Sequence, residues 1–90
     1  MKKIYKYTLE ITDCQTLHLP TRSEVLSVKE QNGSLCVWAL IDPMNSNTSP
    51  VTIVIYGTGH DTDYEVTQHF RFLDTVITSY NAVWHVYVSE

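Results

Sequence analysis

Hydrophobic and polar positions alternate along most of this chain. Near its start, apolar residues at every second position are separated by polar ones, the period-two pattern of a strand with one solvated face; they are Tyr5, Tyr7, Leu9 and Ile11. A second extended segment, Thr16 to Leu19, ends at Pro20, because a residue before proline is pushed toward β geometry. The runs from Val51 to Tyr56 and from Ala82 to Val88 predict two further strands. The pattern is that of a chain built mostly from short strands.

The clearest local signal is Asn32-Gly33, which separates Glu24–Gln31 from the segment Ser34 to Asp42. This dipeptide favours a type I′ turn, in which both central residues take positive φ, so the flanking segments are predicted to form a hairpin. In the second strand of this hairpin, the residues that point to one face and those that point to the other are both mostly apolar. Either this strand is central in a two-layer fold, or the face that carries Trp38 meets another subunit or a ligand.

The segment from Val66 to Tyr80 carries two conflicting patterns. Val66, Phe70 and Leu73 have helical spacing, whereas Phe70 and Phe72 alternate with polar neighbours as in a strand. Its β-branched and aromatic residues favour a strand over a helix. The predicted fold is therefore all-β, a small antiparallel sandwich or open barrel of six or seven short strands. One helix near residues 66–80, which would make the fold α+β, is the alternative. Residues 43–50 are predicted to form an exposed loop.

Length and composition limit the function classes. Ninety residues with 43% hydrophobic content form a single domain spanning residues 1–90. The net charge of −4 and only six Lys and Arg residues exclude a DNA- or RNA-backbone footprint. No apolar segment approaches the roughly 20 residues of a membrane span. With two cysteines and no signal peptide, we expect an intracellular protein in a reducing compartment.

The segment Gly57-Thr58-Gly59-His60 directly follows the Val51 to Tyr56 strand and is the strongest candidate for a binding site. Its two glycines are expected to permit positive φ and to expose consecutive backbone N–H groups, which can surround a phosphate. A tight structural turn is the alternative. Arg71 is expected on a wetter strand face, where it meets a phosphate or solvent. The four histidines and nearby aspartates have no metal-motif spacing, and neither cysteine lies in a nucleophile motif, so no catalytic, metal or cofactor site is predicted.

Five short motifs in this order resemble a widespread family of small phage-encoded proteins of unknown function. They are Ile4-x-Lys6-Tyr7, Leu19-Pro20, Cys36-Val37-Trp38-Ala39, Gly57-Thr58-Gly59-His60 and Val83-Trp84-His85-Val86. This family is similar to phage anti-defence sponges, which sequester the cyclic nucleotide signals of bacterial CBASS immunity, such as 3′,3′-cyclic GMP-AMP. The resemblance implies a non-catalytic protein in the cytoplasm of the infected bacterium that binds its ligand and leaves it intact.

In that interpretation the ligand-binding residues are Trp38, Gly57, Thr58, Gly59, His60, Arg71 and His85. A homo-oligomer is expected as well, because ninety residues enclose little volume and a two-fold dinucleotide matches a two-fold interface. The alternative function is a small phage structural or interaction protein that blocks a host protein through an apolar strand face.

Overall fold

Seven strands and one short helix follow one another in the computed structural model, which describes residues 1–90. In chain order they are β1 (Lys3–Thr8), β2 (Cys14–Pro20), β3 (Glu24–Gln31), β4 (Ser34–Ile41), β5 (Thr48–Gly57), α1 (Tyr64–His69), β6 (Arg71–Ile77) and β7 (Val83–Val88). The helix has six residues, and no helix of the protein has the length and apolarity needed to cross a membrane.

The strands form two antiparallel sheets that pack as a sandwich. One sheet has the order β1-β4-β3, and the other has the order β2-β5-β7-β6. The inward-facing residues of both sheets form one cluster of 14 buried apolar residues, with Val37, Ile53 and Val86 at its centre without solvent exposure. The all-β prediction of a small antiparallel sandwich is therefore confirmed.

The predicted hairpin is present with the expected turn. Gln31 pairs with Ser34, and Asn32 and Gly33 have φ values of 53° and 84°. Strand β5 begins at Thr48, earlier than expected, because the prolines and polar residues of the 43–50 segment indicate a loop. Pro50 fits there because β5 is paired only with β2 at this point and reaches β7 from Ile53 onward.

The ambiguous segment contains both a helix and a strand. The preference for a strand throughout residues 66–80 is wrong for its first part, because α1 extends to His69, and right for β6. The Asp63 carboxylate caps the helix by accepting a hydrogen bond from the Glu65 N–H at 2.9 Å. Phe70 ends the helix, since its backbone is extended at φ −88° and ψ 154°.

Side chains, rather than a backbone ladder, join the sheets where the edge strands β3 and β6 meet. Arg71 Nη2 donates to the Val25 carbonyl at 2.7 Å and to Glu90 Oε1 at 2.8 Å. The same Glu90 oxygen accepts from the Val25 N–H at 2.6 Å. Farther along, the Ser79 N–H donates to the Glu30 carboxylate at 2.8 Å. We call this boundary, from Val25 and Arg71 to Glu30 and Ser79, the seam.

Candidate functional site

The two glycines at the end of β5 have different roles. His60 N–H donates to the Gly57 carbonyl at 3.2 Å, which closes the turn. Gly59 has a φ of +86°, which favours glycine, whereas Gly57 is not among the residues with positive φ. A Cβ atom at Gly57 would lie 2.7 Å from His60 Cε1 and 2.9 Å from His60 Nδ1. The His60 imidazole therefore lies against the Gly57 Cα, where an added side chain would displace it. The expectation that both glycines take positive φ holds for Gly59 alone.

Three cavities meet at His60, which lines all of them. The largest, here the acidic cavity, has a volume of about 460 Å³ and is lined by Asp13, Cys14, Val54, Tyr56, His60, Asp61, Asp63 and Val66. The aromatic cavity has a volume of about 210 Å³ and is lined by Tyr56, Gly57, Thr58, Gly59, His60, Thr62, Phe72, His85 and Tyr87. The inner cavity has a volume of about 160 Å³ and is lined by Ile11, Thr12, Asp13, Ile55, Gly57, His60 and Trp84.

The acidic cavity combines an apolar wall with carboxylates. Val54 and Val66 are 6% and 8% exposed and lie outside the main core cluster, so α1 covers the outer face of its sheet here. Asp63 is committed to the fold as the helix cap, whereas Asp61 is exposed in the loop before it. The volume is within the range of small-molecule sites.

Three aromatic rings from neighbouring strands form one wall of the aromatic cavity. Tyr87 meets Tyr56 edge-to-face with ring centroids 6.0 Å apart, and Phe72 in the same manner at 5.3 Å. Phe72 is still 49% exposed. Such a wall offers a flat apolar surface, and stacking of a nucleobase on an aromatic side chain contributes about 1–3 kcal/mol.

His85 links the glycine corner to β6 through both ring nitrogens. Nε2 lies 2.7 Å from Thr58 Oγ1, and Nδ1 lies 2.9 Å from Thr75 Oγ1. A neutral imidazole has one donor and one acceptor nitrogen, so one threonine donates to the ring and the other accepts from it. The accepting hydroxyl keeps its own proton, which is then available to a ligand oxygen.

One residue that lines the inner cavity also carries a buried polar atom without a partner. Trp84 Nε1 is buried and makes no hydrogen bond. An indole nitrogen can only donate, and a buried donor without an acceptor costs free energy.

The structure brings together five of the seven residues predicted for ligand binding: Gly57, Thr58, Gly59, His60 and His85. Trp38 lies on β4, in the opposite sheet. Arg71 lies at the seam, where its guanidinium binds Val25 and Glu90.

Sequence reasoning did not place the aromatic wall at this site, and it considered the aspartates only as metal ligands. Tyr87 is two positions after His85 and therefore shares its strand face, a signal that the period-two pattern contains. Strand pairing brings Phe72 to the site, and the path of the loop after His60 brings Asp61 there.

The site has no fixed positive charge. None of the six Lys and Arg side chains lines any of the three cavities. The structure contains no group of three or more His, Cys, Asp or Glu residues arranged to hold a metal ion. Ligand recognition here would depend on hydroxyls, imidazoles, backbone N–H groups and aromatic surface.

Comparison with known proteins gives one result about the family. No curated protein and no solved structure matches the chain. The family model described as Domain of unknown function (DUF7352) matches residues 1–90, which is the whole chain. The protein therefore belongs to the DUF7352 family of domains of unknown function.

Proposed function

We propose that this protein is a phage anti-defence protein that captures a cyclic nucleotide immune signal, such as 3′,3′-cyclic GMP-AMP, in the cytoplasm of the infected bacterium and leaves it intact. The observation that carries the proposal is the meeting of three cavities at His60, one lined by carboxylates, one by aromatic rings and one by Trp84. A ligand with bases, hydroxyls and phosphates needs several such environments side by side. The motifs shared with the phage family support the biological context.

Charge decides which part of the ligand each cavity suits. A phosphate 4 Å from a carboxylate would be repelled by about 4 kcal/mol at an effective dielectric constant near 20. Phosphates therefore belong near Thr58 and His85, away from Asp61. The carboxylates instead suit the donor-rich edge of a base, and a second base can stack against Phe72 and Tyr87.

The side chains around the site support binding without cleavage. Cys14 is an exposed free thiol that lines the acidic cavity together with His60. No hydrogen bond joins the thiol to the imidazole, so the nucleophile and base are not coupled as a cysteine-dependent hydrolase requires. A protein that sequesters a signal needs no such pair.

Thermal melting against a panel of cyclic dinucleotides and cyclic ADP-ribose isomers tests the proposal. Ligand at about 100 times its dissociation constant adds about 2.7 kcal/mol, which raises the melting temperature of a domain this size by roughly 10–20 °C. Heat denaturation followed by chromatography then identifies the released compound. Intact ligand supports sequestration, an altered ligand would establish an enzyme, and no shift with any compound would refute nucleotide binding.

A matched pair of glycine variants tests whether binding occurs at this corner. In Gly57→Ala the new Cβ displaces His60, an exposed side chain that can move at little cost to folding. We expect an unchanged melting temperature without ligand and a ligand-induced shift reduced by more than half. Gly33→Ala changes a glycine far along the chain, in the hairpin turn, and should retain the full shift. Equal shifts in both variants would place the ligand elsewhere.

The apolar face of β4 favours a second candidate function, the blocking of a host protein. Trp38 and Leu40 are half-buried there, and Ile4 on the neighbouring strand is 58% exposed. This function predicts that Trp38→Ala abolishes the pull-down of one host protein and leaves the thermal shift by nucleotides unchanged. Nucleotide capture needs no host protein.

A further inference from the structure

The outer face of the β1-β4-β3 sheet is apolar and basic. Its inward positions on β4 belong to the core, so the alternate positions point outward. Strand pairing places Lys6 beside Trp38, Ile4 beside Leu40 and Lys29 beside Cys36 on this side. Glu24 lies on it at the end of β3, and Lys29 at its edge also pairs with Asp74 of β6 at 3.8 Å. We call this surface the basic face.

The outer face of the other sheet has the opposite charge. Its acidic cavity and helix carry carboxylates, including the exposed Asp61 and Glu65, and no Lys or Arg lines the cavities there. Tyr64 is 70% exposed and Phe72 is 49% exposed on the same side. We call this surface the acidic face. The basic face and the acidic face thus lie on opposite sides of the sandwich.

We propose that the basic face of one copy docks on the acidic face of a second copy. Lys6 then meets carboxylates, and Trp38 and Ile4 leave water against the aromatic side chains of the partner. The sandwich measures 41 × 31 Å in its two long directions, so each face can supply the roughly 800 Å² per partner of a standard interface. Because the two contacting surfaces differ, the contact is heterologous and builds a ring or a chain of copies.

This docking also completes the candidate site. The cavities around His60 have no fixed cation of their own, and the basic face of the neighbouring copy brings Lys6 and Trp38 toward them. Within one chain Trp38 lies on the sheet opposite the one whose strand β5 leads to His60, and the two residues become neighbours across two copies. This consequence rests on the proposed function, whereas the docking itself does not.

Association is measured first without ligand, by light scattering and sedimentation. Protein concentration is varied about a hundredfold upward from about 2 μM, at low and at high salt. We expect oligomers at low salt that dissociate as salt screens the charges. Lys6→Glu and Asp61→Lys should each yield monomers, because each places like charges opposite each other. The control Lys3→Glu changes a lysine on the same strand but the opposite face, and it should leave the oligomer unchanged.

Mixing the two monomeric variants gives the sharpest outcome. The intact basic face of Asp61→Lys can bind the intact acidic face of Lys6→Glu, so an equimolar mixture should associate again. Circular dichroism of each variant shows that it is folded. A mixture that remains monomeric, or a wild-type protein that is monomeric at every concentration, would overturn the docking. A monomer that still melts higher with nucleotide would leave the proposed function standing, and an oligomer without any nucleotide shift would leave the docking standing.

Discussion

The bond between Arg71 and Glu90 at the seam yields a quantitative prediction. Arg71 Nη2 and Glu90 Oε1 are 2.8 Å apart, and their side chains are 42% and 24% exposed. A charge-assisted hydrogen bond contributes about 1.5–3 kcal/mol, and partial exposure screens this to about 1–2 kcal/mol. Both side chains also bind the backbone of Val25, which is 1% exposed, so removing either one leaves a buried polar group without its partner.

The perturbation is a double-mutant cycle with Arg71→Ala, Glu90→Ala and the double variant, followed by urea unfolding. Each single variant should lose about 1–2 kcal/mol, which lowers the melting temperature by roughly 5–15 °C. The double variant should lose less than the sum of the two, because the partners share one network.

The control cycle uses the other ion pair of the seam. Lys29 Nζ and Asp74 Oδ2 are 3.8 Å apart, with side chains 67% and 47% exposed. Such an exposed pair contributes about 0–0.5 kcal/mol, so its coupling should be near the limit of measurement. If Arg71→Ala left the free energy of unfolding unchanged, the guanidinium would not be held at the seam. It would then be free to meet a ligand, as the family resemblance implies.

Three further results are expected. Gly59→Ala and Gly33→Ala place a Cβ in open space at φ +86° and +84°, so urea unfolding should show similar losses of about 1 kcal/mol in both; a loss at one position only would contradict this. Asp61→Asn should weaken the binding of a guanine-containing ligand at least fivefold in calorimetry and that of an adenine-only ligand much less. Equal losses for the two ligands would show that the Asp61 carboxylate does not bind the edge of the base. Burial, and to a smaller extent Tyr5, raises the pKa of Tyr7 from 10.0. The resulting stabilisation is complete below that unfolded-state pKa and falls as pH rises above it, and Tyr7→Phe should remove the fall in alkaline melting curves.

Local patterns predicted the parts of this fold that depend on neighbouring residues. The hairpin at Asn32-Gly33 follows from the φ requirements of two adjacent positions. The helix α1 was only the alternative prediction, because β-branched and aromatic residues dominate the segment, although Asp63 provides a capping signal. A helix of six residues is too short to be stable alone, so it depends on the burial of Val66 against the sheet.

The sequence by itself determined the strand content, the hairpin and the glycine corner, because each depends on side-chain periodicity or backbone φ over a few residues. Only the tertiary structure decided which faces meet. It placed Trp38 on the sheet opposite the one whose strand β5 leads to His60. It also held Arg71 against Val25 across 46 positions and brought Phe72 to the cavity beside His85. The reason is physical: strand pairing and sheet packing are set by burial of the whole core, and no local pattern records which distant strand lies alongside another.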